Sequence, residues 1–250
     1  MKASVFLACA IALVGIAGSN SKQADAAAKA PAKLQQVTPP KAVDWSRVVN
    51  PTRAGGFVMG NPNAKAKLIE YGSLTCPHCR AFDQTGVPQL IGKYVKSGQL
   101  SWEFRNYVRD ALDMSASLIA RCNGADSFFP LARALYKDQP VWVGKIEGIP
   151  QAKIDQLQSL PPSREFLAMA RVTGLQQWAA VRGVPVARSS QCLVNQSRVN
   201  QLIQMHSDAN SQYPDFAGTP TFVLNGSMLK EIATWETLEP AIKSALGVRG

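Results

Sequence analysis

The sequence predicts an α+β domain interrupted by an all-helical insertion, and three observations predict it. A strand–helix–strand unit occupies residues 67–108, helical patterns without a convincing strand fill residues 113–211, and a hairpin followed by one helix closes the chain. The composition is that of a globular protein: 250 residues, 46% apolar and 18% charged, with 18 Gly and 16 Pro. Disorder, a collagen-like chain and a multi-pass membrane protein are excluded.

The N-terminus reads as a secretory signal peptide over residues 1–26. Met1-Lys2 precedes an uncharged apolar run from Ala3 to Gly18, a polar stretch to Gln23, and Ala24-Asp25-Ala26, with small residues at the first and third positions of a cleavage site. The run is shorter than the ~20 residues of a spanning helix, so a retained anchor is the weaker alternative, and lipid attachment at Cys9 is weaker still. Cleavage after Ala26 lowers the net charge from +10 to +9 through loss of Lys2, Lys22 and Asp25. It also removes Cys9, leaving Cys76, Cys79, Cys122 and Cys192, an even set suited to an oxidising compartment. The basic side chains are scattered singly, which argues for surface charge and against a nucleic-acid partner.

Residues 27–55 read as an N-terminal linker, with Pro31, Pro39 and Pro40 in its Ala/Lys/Gln-rich first part. A short strand is expected at Phe57-Val58-Met59, closed by the turn signal Gly60-Asn61-Pro62-Asn63. The apolar run Lys67 to Ser73 is a strand leading into a helix that extends to about Lys96 and kinks at Gly86-Val87-Pro88. Leu100 to Val108 alternates with period two and completes the unit. Helices are then expected at Met114–Cys122, Ser127–Lys137, Ile154–Leu160, Arg164–Arg171, Leu175–Arg182 and Arg198–Asn210. Thr221 to Leu224 and Met228 to Ile232 flank Asn225-Gly226, a strong hairpin signal, and a last helix spans Trp235 to Leu246. Residues 56–112 and 212–250 thus form one domain, and 113–211 the insertion.

The chemistry is concentrated in Cys76-Pro77-His78-Cys79. Two cysteines three apart on the first turn of a helix can close a small disulfide ring, and the first of them faces unpaired N–H groups and the positive end of the helix dipole. Pro77 suits a first-turn position and Thr75 is a reasonable N-cap. Such sites lower a thiol pKa from ~8.5 to ~3.5–7, which stabilises the dithiol form and makes the disulfide oxidising. His78 can donate toward the Cys76 sulfur and push the same way. A zinc site would need two further ligands from His206, Cys122 and Cys192, without a second C-x-x-C. With two histidines in the chain, one inside the motif, a hydrolase triad is disfavoured.

Glu70-Tyr71-Gly72-Ser73-Leu74-Thr75-Cys76-Pro77-His78-Cys79, the helical insertion, and Gly218-Thr219-Pro220-Thr221-Phe222 together resemble the DsbA family of thiol:disulfide oxidoreductases. The resemblance covers about Phe57 to Leu246. It implies a thioredoxin fold with an inserted all-helical domain and an enzyme of the periplasm that oxidises secreted proteins through Cys76 and Cys79. It implies that Thr219-Pro220 is a cis-proline loop pairing with the substrate backbone, where the sequence alone leaves cis and trans equally open. It places Glu70 as a buried acid beneath Cys79, able to carry the proton of that thiol, with Arg105 as a candidate ion partner. It implies reduced or unfolded secreted proteins as clients, a DsbB-like quinone-linked membrane oxidase as partner, and no bound cofactor.

With Cys76 and Cys79 paired, Cys122 and Cys192 are left for a structural bridge, two buried free thiols being the alternative. A disulfide isomerase or reductase on the same fold is the nearest competing reading, since Thr219 before the proline is found in isomerase-type relatives. A non-redox peptide- or zinc-binding protein is the more distant one. Trp102, Trp142, Trp178, Trp235 and Phe128-Phe129 receive no functional assignment, aromatics at such spacings being usually core.

Overall fold

The computed structural model describes residues 43–248, so the expected signal segment and most of the linker lie outside the described residues. The chain enters through a 3-10 turn at Trp45–Arg47, capped by Asp44, and strand β1 (Val49–Pro51) pairs antiparallel with β2 (Phe57–Met59). The linker expected over 27–55 therefore ends earlier than its last residues. A three-residue edge strand containing Pro51 has no alternation to betray it, and only its partner strand fixes it.

Strand β3 (Ala66–Gly72) leads to helix α1 (Pro77–Thr85), followed by α2 (Val87–Gln89), a wide π-type turn at Leu90–Val95, and β4 (Leu100–Asn106). The expected kink falls at Gly86, between α1 and α2, where Pro88 cannot donate to the ladder. β3 and β4 run parallel, as a strand–helix–strand crossover requires.

The chain then makes α3 (Ala111–Ala120), α4 (Ala125–Lys137), α5 (Gln139–Gly144), α6 (Gln151–Gln158), α7 (Pro162–Val172), α8 (Leu175–Ala180), α9 (Val186–Leu193) and α10 (Gln196–Gln212). The sequence reading lacks α5 and α9, which are short and begin at or beside Pro140 and Pro185, residues it took as breaks. A proline in the first turn gives up only a donor that has no helical partner there. Hairpin β5 (Thr221–Leu224) and β6 (Ser227–Leu229) follows, with Asn225 and Gly226 at φ +49° and +86°, the left-handed pair its tight turn needs. β6 stops before the expected Ile232, because Glu231 also adopts positive φ and turns the chain out of the sheet. Helix α11 (Trp235–Leu246) ends the described chain.

The six strands lie in the order β1-β2-β4-β3-β5-β6, with β3 central. Alternation assigns their side chains to two faces. Leu68 and Glu70 share one face with Trp102 and Phe104, whereas Ile69 and Tyr71 point to the other. The first face carries the larger core, in which Phe82 of α1 meets Phe222 (ring centroids 4.7 Å) and Trp102 meets Phe129 of α4 (4.8 Å). The second face packs Tyr71 against Tyr213 and Phe216, beyond α10. Within the helices Cys122 and Cys192 are bonded, with Cα atoms 5.7 Å apart. Among the described residues no helix is long and apolar enough to cross a membrane.

Candidate active site

β3 delivers the chain to the loop Ser73–Cys76 at the end of the central strand, and Pro77, with its fixed φ, starts α1. The N-cap is accordingly Cys76 (φ −80°, ψ 123°) and not Thr75, whose hydroxyl instead lies 3.1 Å from that of Ser73. The Cys76 sulfur makes no short capping bond, yet the N–H groups of His78 and Cys79 are close enough to favour its negative charge.

The two thiols are free and electrostatically unlike. Hydrogen bonding with Cys79, chiefly, with Thr219, and with the N–H groups of Cys79 and His78 outweighs burial and holds the Cys76 thiol down at about 5. Burial, reinforced by the neighbouring Cys76, pushes the Cys79 thiol well above its ordinary range. One sulfur is a thiolate at neutral pH and the other a thiol. Cys76 Sγ lies 3.1 Å from the carbonyl oxygen of Thr219, which precedes a cis peptide bond to Pro220. A cleft of about 410 Å³ opens here, lined by Cys76, Pro77, His78, Tyr107, Arg109 and Thr219.

Beneath Cys79 the carboxyl of Glu70 is fully buried. Burial, with the nearby Asp83 charge, pushes its pKa well above the usual carboxylate range, and the Trp102 indole N–H, donating at 3.1 Å, opposes the shift. Asp83 itself sits one helical turn after Cys79 and is pushed up to about 6 by burial, against the pull of Arg133 at 3.3 Å.

A thioredoxin family model matches residues 52–244. The chain belongs to the thioredoxin family. Among solved structures, this thioredoxin-family chain is similar to a protein-disulfide isomerase from Novosphingobium aromaticivorans, at 32% identity and TM-score 0.72, covering 76% of this chain and 96% of that one. It shares its fold with alpha-DsbA1 of Wolbachia pipientis, at 19% identity and TM-score 0.62, over 79% and 94% of the two chains. The fold is thus of the DsbA type, a thioredoxin sheet with helices inserted between β4 and β5. A Rickettsia prowazekii protein provisionally named a protein-disulfide oxidoreductase is 26% identical over 191 residues, 76% of this chain and 61% of that protein. A Rickettsia felis relative, similarly named, is matched over 62% of its length, so the chain spans about three fifths of these two curated relatives.

Two further expectations are corrected by this geometry. Arg105 does not pair with Glu70: it binds Glu103 at 2.8 Å and the Tyr71 hydroxyl at 3.0 Å. Strand parity is the reason, since Tyr71 is opposite Arg105 in the parallel register and Glu70 faces the other side of the sheet with Phe104 and Trp102. The exposed imidazole of His78, in turn, makes no hydrogen bond to Cys76 among the described residues; the contribution of this residue comes from its backbone N–H.

The candidate site also includes residues that sequence reasoning passed over. Trp102 partners Glu70 and could have been found by stepping two residues along the parallel strand. Asp83 falls at the i+4 position from Cys79, on the same helix face. Asp113, Tyr136 and Gln139, from the inserted helices, bind the Ser73–Cys76 loop. No local pattern announces these three, because their partners are 39–65 residues away.

Proposed function

We propose that the chain is a protein thiol:disulfide oxidoreductase of the periplasm that introduces disulfide bonds into secreted proteins through Cys76 and Cys79. The observation that carries the reading is the asymmetry of the two thiols: a thiolate at the cleft and a buried thiol behind it. In the oxidised enzyme a client thiolate attacks the Cys76 sulfur. The bond to Cys79 breaks, and Cys79 leaves with the electron pair and takes a proton from Glu70. A second client thiolate attacks the client sulfur of the mixed disulfide, and Cys76 leaves as the stabilised thiolate. The client has lost two electrons and the Cys76–Cys79 pair has gained them.

Thr219 and Pro220, flanking the cis bond, are assigned to the client backbone, and Pro77 and His78 to the rim of the cleft. Cys122–Cys192 is assigned a structural role, and its presence suits an oxidising compartment. Reoxidation is assigned to a DsbB-like quinone-linked membrane oxidase. The insertion is assigned to residues 113–211, and the helices α3 to α10 that support it run from Ala111 to Gln212.

Catalysis in the isomerase direction is the second reading, favoured by the Novosphingobium relative described as a protein-disulfide isomerase. Alkylation trapping of the cysteines in cells decides between them: the oxidase is recovered with Cys76 and Cys79 mainly as the disulfide, the isomerase mainly as the dithiol. In vitro, the oxidised protein is expected to oxidise a reduced, unfolded test protein, and Cys76→Ser to abolish this. An unreacted test protein with the wild type would overturn both readings.

A further inference from the structure

The stretch Ser73–Cys76 lies between the end of β3 at Gly72 and the start of α1 at Pro77, so neither the sheet ladder nor the helix supplies partners for most of its polar groups. The inserted helices supply them. The Asp113 carboxylate of α3 accepts from the Ser73 hydroxyl (2.6 Å), the Leu74 N–H (2.9 Å) and the Arg109 N–H (3.1 Å). The Tyr136 hydroxyl of α4 donates to the Ser73 carbonyl at 3.1 Å. The Gln139 amide of α5 donates to two carbonyls on either side of Thr75, those of Leu74 (2.8 Å) and Cys76 (3.0 Å). Ser73, Leu74, Asp113, Tyr136 and Gln139 are all buried, so water cannot replace any of these bonds without opening the fold.

We propose that Asp113 and Gln139 are positioning residues through which the helical insertion fixes the Cys76 sulfur against the first N–H groups of α1. The Cys76 carbonyl that Gln139 binds is also the first acceptor of α1, taking the Arg80 N–H at 3.1 Å, so the clamp holds the loop at the point where it becomes helix. The field that favours a thiolate at a helix N-terminus fades within one turn, and a small displacement of the sulfur is enough to weaken it. Asp113 meets three donors and is suited to them only as an acceptor, a role that an asparagine amide fills on one side alone. The inference deepens the oxidoreductase reading and rests on it for its catalytic meaning, but its measurement does not.

The test is the thiolate absorbance of the reduced, full chain near 240 nm, followed against pH in Asp113→Asn and Gln139→Met, with Trp142→Phe as control. Trp142 is a buried neighbour that donates to Leu135 at 2.9 Å and makes no hydrogen bond to the loop. Both clamp variants are expected to raise the Cys76 midpoint by about one pH unit or more, and the control to leave it in place. Burial pushes Asp113 up to about 7, so it carries little charge where Cys76 titrates at about 5, and a shift of the midpoint in Asp113→Asn reports repositioning rather than the loss of a charge. If Asp113→Asn does not fold, Gln139→Met, which changes no charge, decides alone. A clamp variant that loses thermal stability while its midpoint stays with the wild type, or a control that shifts equally, overturns the proposal. The titration needs no client protein, so failure in exchange assays would sink the functional reading and leave this one standing.

Discussion

Trp102 donates its indole N–H to the carboxyl of Glu70 at 3.1 Å, inside the core and close behind Cys76 and Cys79. The bond is the counterweight to burial, which drives this acid toward its protonated form. In the proposed exchange Cys79 gains and loses a proton, and a protonated carboxyl beside it is suited as the acid and base for that thiol.

In the reverse direction, where Cys79 must lose its proton to Glu70 before it can resolve the mixed disulfide, Glu70→Gln is therefore expected to prolong that species by about 10²-fold at neutral pH, the lower end of general acid–base contributions. Mass spectrometry of trapped conjugates over time measures this lifetime. Trp102→Phe keeps the ring but removes the donor, and the acid then titrates still higher. An unchanged lifetime in Glu70→Gln would show that Cys79 exchanges its proton by another route.

The stability of the reduced protein relative to the oxidised one is expected to rise with pH. In the folded state Cys76 titrates at about 5, against 9.0 for the ordinary thiol. Between these values the unfolded chain holds the additional proton, so stability grows as pH rises and is lost as pH falls through about 5. The slope is at most about 1.4 kcal/mol per pH unit, the value for one proton. Asp113, at about 7, and Asp83, at about 6, act with the opposite sign as pH climbs from their ordinary 3.8, but they enter both redox forms alike. Denaturant melts of both forms at pH 5, 7 and 9 give the difference.

Replacing Cys122 and Cys192 together by Ser is expected to cost about 4 kcal/mol, the chain-entropy value for a bridge across 70 residues. Exchange through Cys76 should persist below the lowered melting temperature. Loss of exchange in a variant that remains folded would give this bridge a part in the chemistry.

Gly72→Ala is expected to destabilise by about 1–3 kcal/mol, as overpacking does. A Cβ there would stand 2.5 Å from the Phe104 ring and 3.2 Å from the Tyr136 hydroxyl, the group that anchors Ser73. Thermal melts measure the loss.

What the sequence disclosed was local. Period-two alternation gave β4, Asn225-Gly226 gave the hairpin, and the cysteine spacing gave the start of α1, because each signal lies within a few residues of what it specifies. Thr75 was misplaced as a cap by a single residue, where Pro77 rather than side-chain preference sets the boundary. Arg105 was misassigned because opposite charges on neighbouring strands attract attention before strand parity is worked out. Asp113 and Gln139 were passed over because a clamp between β3 and the insertion exists only once the chain has folded across dozens of residues.

Cys76 lines the cleft and Cys79 does not, so under the proposed mechanism there is a single doorway for electrons. In the proposed mechanism, the donor of oxidising equivalents and the client that consumes them meet the same atom, the sulfur of Cys76, at the same cleft. The two visitors take turns, and the kinetics should be ping-pong, with each able to compete against the other when present in excess.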